Sequence, residues 1–451
     1  MKRLIDQYLL EWKDSSYRKP VLLRGARQVG KTFAIRQLGK NFEHFIEINF
    51  ETDKRFRDLF TDDLHPTRIM RDIELITLKK IIPGKTLLFF DEIQIVPQAL
   101  TSLRYFYEQV PEQHIIAAGS LLDFRIQQEG MPVGRVMSLY MYPLSFFEFL
   151  CACGYTRMAQ ELLPADEKKP LSPLIHKELL RILGEYLAIG GMPEAVERWR
   201  TTKDPRACFE VHQTLLDTYR HDFDKYAKKL QIKYLELLFR EIPRQLGSKF
   251  KFSAIQGDYR KRELAPCLQL LSTAGIAHEV MRSAGNGVPL GAEASPEDYK
   301  VVFLDIALCQ SLLGIDLAAW FLQPQQEFIN KGPLVEAFAG QEFLTYADPK
   351  SKAHLFYWQR NVKGSEAEID YLVQEKAHIV PIEVKSGPGT TLKSMHLFLE
   401  HHPQSSYGIR FSTQEYSVHD KIYSYPLYAI AEFVLKNRPD EIKKYQSLTE
   451  M

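Results

Sequence analysis

From Pro20 to about Phe149 the chain alternates short apolar runs with helical patterns, which is how a parallel sheet flanked by helices reads. Strands are predicted at 21–25 (VLLRG), 44–50 (HFIEINF), 86–92 (TLLFFDE) and 114–120 (HIIAAGS), joined by helices in βαβ order. Residues 150–230 are richer in helix formers and aromatics, interrupted by GGMP at 190–193, and predict a helical connector with no identifiable chemistry. Next come a long amphipathic helix (IKYLELLFREIPRQLG), short helices around SAIQGDYRKRELAPCLQLLSTAGI and a strand-like AHEVMRS, the order of a winged helix, with the polar stretch 286–298 as its wing. From 328 the pattern is a helix (PLVEAFAGQEFLTYA), three strand candidates (HLFYWQR, AEIDYLVQ, HIVPIEVKSG), then a helix and another strand. The expectation is an α/β chain divided at 1–150, 151–229, 230–327 and 328–451.

A length of 451 residues exceeds a single core and suggests roughly two to four domains. With 45% hydrophobic and 25% charged residues, the composition is that of an ordinary globular protein. The 58 basic and 57 acidic side chains nearly cancel, so no whole-chain field draws the protein to nucleic acid or a membrane. A basic patch must then be local. Lys249, Lys251, Arg260, Lys261 and Arg262 form such a cluster near the expected recognition element. A solvated face or a protein-docking surface is the competing reading of those charges. Five scattered cysteines without paired metal spacing predict reduced, structural thiols. The N-terminal segment mixes charges into an amphipathic pattern unlike a secretory signal. No run approaches the roughly 18 apolar residues that span a bilayer, so a cytoplasmic location with no membrane partner is expected.

Gly25-Ala26-Arg27-Gln28-Val29-Gly30-Lys31-Thr32 has the spacing G-x-x-x-x-G-K-T, directly after an apolar strand and before a helical pattern. The glycines let backbone N–H groups face phosphate oxygens, and the helix N-terminus adds partial positive charge. Lys31 is expected on the outer phosphates, and the Thr32 hydroxyl on Mg²⁺. The run 87–92 (LLFFDE) ends a buried strand in two acids at the sheet edge where such folds bind ligands. Asp91 there would hold the metal through water, and Glu92 would polarise the attacking water. Ser120, closing AAGS, is either a sensor of the γ-phosphate or a helix N-cap. Arg135 either neutralises charge on a transferring phosphoryl group or makes a surface ion pair. Arg27 reaches nucleotide or a neighbouring helix. ATP and Mg²⁺ are thus the expected ligands. Phosphotransfer to a small molecule is disfavoured, because Glu92 beside Asp91 suits activation of water and nothing marks an acceptor pocket.

Near the C-terminus, Asp370 is followed after twelve residues by Glu383-Val384-Lys385, a D-x(n)-E-x-K spacing on two expected strands. Alternation along a strand puts Glu383 and Lys385 on one face. Two carboxylates sharing Mg²⁺ and a lysine stabilising hydroxide suit metal-assisted phosphodiester hydrolysis. Glu336 on the preceding helix supplies a third acid, and Glu368 either joins the group or stays solvated.

RGARQVGKT, LLFFDEIQ, AAGS, YPLSFFEF (142–149), GGMPEAV (190–196) and IEVKSG (382–387) together resemble the AAA-type ATPases of a large prokaryotic family. In that family an ATPase domain precedes a C-terminal domain of uncharacterised function. The likeness covers nearly the whole chain, and YPLSFFEF, GGMP and IEVKSG are its distinctive segments. It implies ATP binding and hydrolysis, a winged-helix-like middle and a nuclease-like terminal fold, without a physiological role. The terminal constellation resembles the core of restriction-endonuclease-like nucleases, with Glu336, Asp370, Glu383 and Lys385 at its acid, acid, acid and lysine positions. Two functions compete: an ATPase coupled to a DNA-directed C-terminal module, and an ATP-dependent regulatory or scaffold protein without nuclease activity. DNA and a second copy of the chain, bound if Arg135 acts in trans, are the candidate macromolecular partners.

Overall fold

The apolar runs of the first 150 residues form five parallel strands, β1 (Val21–Arg24), β2 (His44–Asn49), β3 (Thr86–Asp91), β4 (His114–Ala118) and β5 (Met137–Tyr140), in the order β2-β3-β4-β1-β5. The computed structural model describes residues 1–130, 134–164, 171–362, 365–387 and 392–450. β3 and β4 are buried along their whole length, as central parallel strands covered on both faces must be. β5 was not anticipated, because four residues are too few for alternation to register; it pairs with β1 from Val21↔Met137 to Arg24↔Tyr140. Since β4 lies between β1 and β3, the turns that follow these three strands leave the sheet side by side at its C-terminal edge.

The connector is helical, as expected. Its helices Pro173–Ile189, Pro193–Thr202 and Pro205–Tyr226 each open on a proline, where the missing N–H has no intrahelical partner to lose. The next helix, Ile232–Glu241, is shorter than the amphipathic pattern suggested. Pro243 cannot donate to the helical ladder and crowds the preceding turn, so the chain passes into a short 3₁₀ turn. Helix Lys261–Thr273 and the antiparallel pair β6 (Ala277–Ser283) and β7 (Ala294–Phe303) follow. Most of the stretch expected as a polar wing is thus taken up by a 3₁₀ turn and the start of β7.

This helix–helix–hairpin order is continuous with the C-terminal sheet, because β6 also pairs in parallel with β8 (Leu355–Val362). One eight-stranded sheet results, in the order β12-β13-β11-β10-β9-β8-β6-β7, with β9 (Ser365–Glu375), β10 (His378–Lys385), β11 (Gly408–Ser412), β12 (Ser417–His419) and β13 (Ile422–Pro426). The sheet therefore crosses position 328. Helix Gly332–Thr345 is buried almost all round, which is why its sequence is apolar on every side. One core cluster runs continuously from Leu4 on the first helix (Leu4–Asp14) through the connector to Leu448. The five cysteines are free thiols, four of them buried. Among the described residues no helix is long and apolar enough to cross a membrane.

Candidate nucleotide site

The phosphate loop joins β1 to the helix Lys31–Gly39. Gly25 has φ +143°, and a Cβ there would lie 2.1 Å from the Met141 carbonyl oxygen, so β5 and the loop touch backbone to backbone. Lys31 is buried, and its Nζ donates to the carbonyl oxygens of Gly25 and Ala26 at 2.8 Å each. Burial lowers its pKa to about 8, against the raising effect of Glu92 and Asp91. The side chain is thus held curled over its own loop.

Asp91 ends β3, and its Oδ2 lies 3.5 Å from Thr32 Oγ1 and accepts from Asn49 Nδ2 at 3.1 Å. Burial, then the Glu92 carboxylate, raises Asp91 to about 6. A hydroxyl and a carboxylate facing one another at this spacing fit a magnesium ion shared with phosphate oxygens and water. Glu92 adopts φ +53°, a left-handed conformation that a non-glycine residue holds only under constraint. Its Oε2 accepts from Ser120 Oγ at 3.2 Å and from the Gln94 amide. No side-chain cap from Glu92 closes the 3₁₀ turn after β3, and the N-cap of the helix Leu122–Glu129 is Leu121, not Ser120. At Gly119 a Cβ would lie 1.8 Å from Gln94 Oε1, so the Gln94 side chain packs directly against the turn after β4.

These groups line a cleft of about 400 Å³ that runs from Arg27, Gln28 and Gly30 past Lys31, Thr32, Asp91, Glu92 and Ser120 to Pro193 and Glu194. A neighbouring cleft of about 670 Å³ shares Arg27, Glu92 and Ser120 and extends to Lys225 and Lys228. Arg135 lines neither cleft. It is half-exposed, and its Nε lies 3.1 Å from Glu108 Oε1 in a surface ion pair.

Three features escaped the sequence reading. The connector, expected to carry no chemistry, grips the phosphate loop: Arg27 Nη1 donates to both oxygens of Asp222 at 2.6 and 2.7 Å, and Tyr219 OH donates to the Arg27 carbonyl at 2.7 Å. Both partners project from the helix Pro205–Tyr226, one turn apart. Second, buried Arg3 donates to the Val29 carbonyl at 3.1 Å, to the Tyr142 carbonyl at 2.8 Å and to Glu148 Oε1 at 2.9 Å. Glu148 also closes a capping box with Ser145. That accounts for the acid and serine of YPLSFFEF.

Third, GGMP brings Pro193 to the cleft. Leu144 N–H donates to the Gly191 carbonyl at 2.7 Å, and Gly191 N–H donates to Asp305 Oδ2 at 2.7 Å. Asp305 also caps the helix Ile306–Leu313, and burial raises it to about 6.

In the C-terminal sheet, Glu336, Glu368, Asp370, Glu383 and Lys385 lie close together, but around a residue the sequence did not mark. The Lys300 ammonium on β7 is 2.8 Å from Glu336 Oε1, 2.5 Å from Glu368 Oε1 and 3.8 Å from Asp370 Oδ1. Asp370 Oδ2 accepts from Val384 N–H at 2.7 Å, and Lys385 pairs with Glu383. Burial, then the Asp370 charge, pushes Glu336 and Glu383 up. Among the described residues no group of three or more His, Cys, Asp or Glu is arranged to hold a metal ion.

Comparison with known proteins separates the chain into three stretches. Residues 17–150 match a family model described as an AAA domain; 180–319 and 331–430 match two domains of unknown function (DUF8612 and DUF4143). An uncharacterized protein of Methanocaldococcus jannaschii, MJ1544, is 30% identical over 175 residues, 38% of this chain and 35% of that protein. The match thus spans about a third of that curated relative's length. Among solved structures, the Walker-type ATPase PABY2304 of Pyrococcus abyssi has 17% identity and a TM-score of 0.42, covering 69% of this chain and 95% of that one. The ORC1 protein of Aeropyrum pernix in complex with DNA has 13% identity and a TM-score of 0.29, covering 70% and 91%. The AAA family match and the convergence of phosphate loop, β3 acids and Ser120 give the N-terminal unit the features of an AAA-type nucleotide-binding ATPase domain.

Proposed function

We propose that the chain hydrolyses ATP with Mg²⁺ and that nucleotide occupancy sets the state of a DNA-directed unit built from the residues beyond 230. The observation that carries the reading is Glu92: its carboxylate sits in the cleft with Lys31, Thr32 and Asp91, in a constrained conformation that aims it at Ser120. In this reading the loop N–H groups and Lys31 hold the phosphates, while Thr32 and Asp91 hold Mg²⁺. Bound Mg²⁺ supplies charge neutralisation on the β- and γ-phosphates. Glu92 takes a proton from water as the water oxygen bonds to the γ-phosphorus and the bond to the β-bridging oxygen breaks, releasing ADP and phosphate. Ser120 fixes the Glu92 carboxylate. Arg27 with Asp222, and Gly30 beside Pro193 of GGMP, are the contacts through which the phosphate loop reaches the connector. Arg135 lies at the surface, where a neighbouring copy is accessible to it.

The DNA-directed part is supported by exposed Lys251, Arg260, Lys261 and Arg262 around the start of helix Lys261–Thr273. Lys249 is committed elsewhere, to Asp298. A second reading, an ATP-dependent regulatory or scaffold protein, is favoured by Lys300 standing within the acids of the terminal sheet. ATP turnover with and without duplex DNA separates the two. Under the first, DNA stimulates turnover and Lys261→Ala with Arg262→Ala abolishes the stimulation and weakens DNA binding at low salt. Turnover and binding indifferent to DNA would leave the second. Turnover per subunit that falls on dilution would support a trans role for Arg135; concentration-independent turnover would remove it.

A further inference from the structure

The endonuclease-like arrangement of Glu336, Asp370 and Glu383 demands a divalent cation where the acids converge, yet the position is already filled. Lys300 is almost wholly buried, with its ammonium in contact with carboxylates from helix Gly332–Thr345 and from β9, and 5.3 Å over the Tyr357 ring from β8. We propose that Lys300 is a built-in cation that takes the place of a divalent metal, so that this chain's terminal site binds no Mg²⁺ and cleaves no phosphodiester.

The donor set agrees with this assignment. Magnesium requires about six oxygens near 2.0–2.1 Å in octahedral array. Of the acids here, Glu336 and Glu368 each give one oxygen to Lys300, Asp370 gives one to the Val384 N–H, and Glu383 gives one to Lys385. Glu383 Oε2 is buried without a hydrogen-bond partner, and Asp370 Oδ1 lies 3.8 Å from the same ammonium, so the acids are arranged around Lys300. A doubly charged cation would have to share these acids with the ammonium at close range, where like-charge repulsion weakens its binding. An ammonium is a fixed part of the strand and needs no loading, so one unit of the acids' charge is offset at all metal concentrations. The terminal sheet then serves as a binding scaffold that keeps the layout of a hydrolase without its metal. The inference rests on the terminal sheet alone and stands or falls separately from ATP hydrolysis at Glu92.

The test is a Mn²⁺ titration of the nucleotide-free full chain, read by loss of the free-ion electron paramagnetic resonance signal. Wild type and Asp370→Asn should bind the same number of ions, and neither should nick supercoiled DNA in Mg²⁺ or Mn²⁺. Lys300→Met should gain one Mn²⁺ per chain, and the added Asp370→Asn change should remove it. A Mn²⁺ site in the wild type that Asp370→Asn abolishes would overturn the proposal. So would a folded Lys300→Met that gains no ion. Should Lys300→Met fail to fold, the comparison of wild type with Asp370→Asn decides the matter unaided.

Discussion

ATP binding should take up protons at mildly alkaline pH, because Lys31 is held with a pKa of about 8 by burial. Polyphosphate beside the ammonium restores the charged form, since an opposite charge favours ionisation. Below about pH 8 the free protein already carries the proton and binding changes little, whereas above it the lysine must be recharged on binding. With an ordinary titration curve, uptake is about half a proton per ATP at pH 8 and about a tenth at pH 7, and affinity weakens roughly tenfold between pH 7 and pH 9. The assay is isothermal titration calorimetry of Mg·ATP in phosphate and in Tris, whose ionisation enthalpies differ; the slope of observed enthalpy against ionisation enthalpy counts protons. Lys31→Arg, which stays charged throughout, should bind less well but with a flat profile over this range. Zero uptake at pH 8 together with unchanged affinity up to pH 9 would refute the argument that burial depresses Lys31.

Two further outcomes follow from the contacts around the loop. Arg3→Ala leaves Glu148 as an unpaired buried charge and should destabilise the fold by about 3–5 kcal/mol in denaturant titration, with weaker ATP binding because the Val29 carbonyl loses its tether. Asp91 is raised to about 6, so it is protonated below that pH and loses its capacity as a metal ligand; Mg²⁺-dependent turnover should fall as pH drops through about 6, and recover partly at higher Mg²⁺.

The residues of the candidate cleft were legible because they are local in sequence. Gly25 to Thr32 is a contiguous loop, and Asp91–Glu92 and Ser120 each end an apolar run, so strand order alone brings them together. The AAA-type reading and the N-terminal parallel sheet followed from those runs. Long-range partners left no such trace. Arg3 and Glu148 are 145 residues apart, Arg27 and Asp222 are 195 apart, and nothing in either segment marks one for the other. YPLSFFEF and GGMP were recognisable as motifs, but their reason, a backbone interlock at Leu144 and Gly191, depends on packing. At the C-terminus the D…ExK spacing picked out residues that the fold brings close together and missed Lys300, a single lysine in a strand, whose contact with Glu336 depends on how the sheet and helix pack. Arg135, read as either a phosphate or a surface arginine, shows the surface pair with Glu108.

The central claim is that Glu92 activates water while Lys31 holds phosphate, and paired measurements of nucleotide binding and hydrolysis on Glu92→Gln and Lys31→Ala test it most directly. Glu92→Gln should keep ATP affinity close to wild type and lose turnover by about 10²-fold or more, the scale of a missing general base. Lys31→Ala should lose both. Wild-type turnover in Glu92→Gln would contradict the assignment and place the water-activating group elsewhere in the cleft.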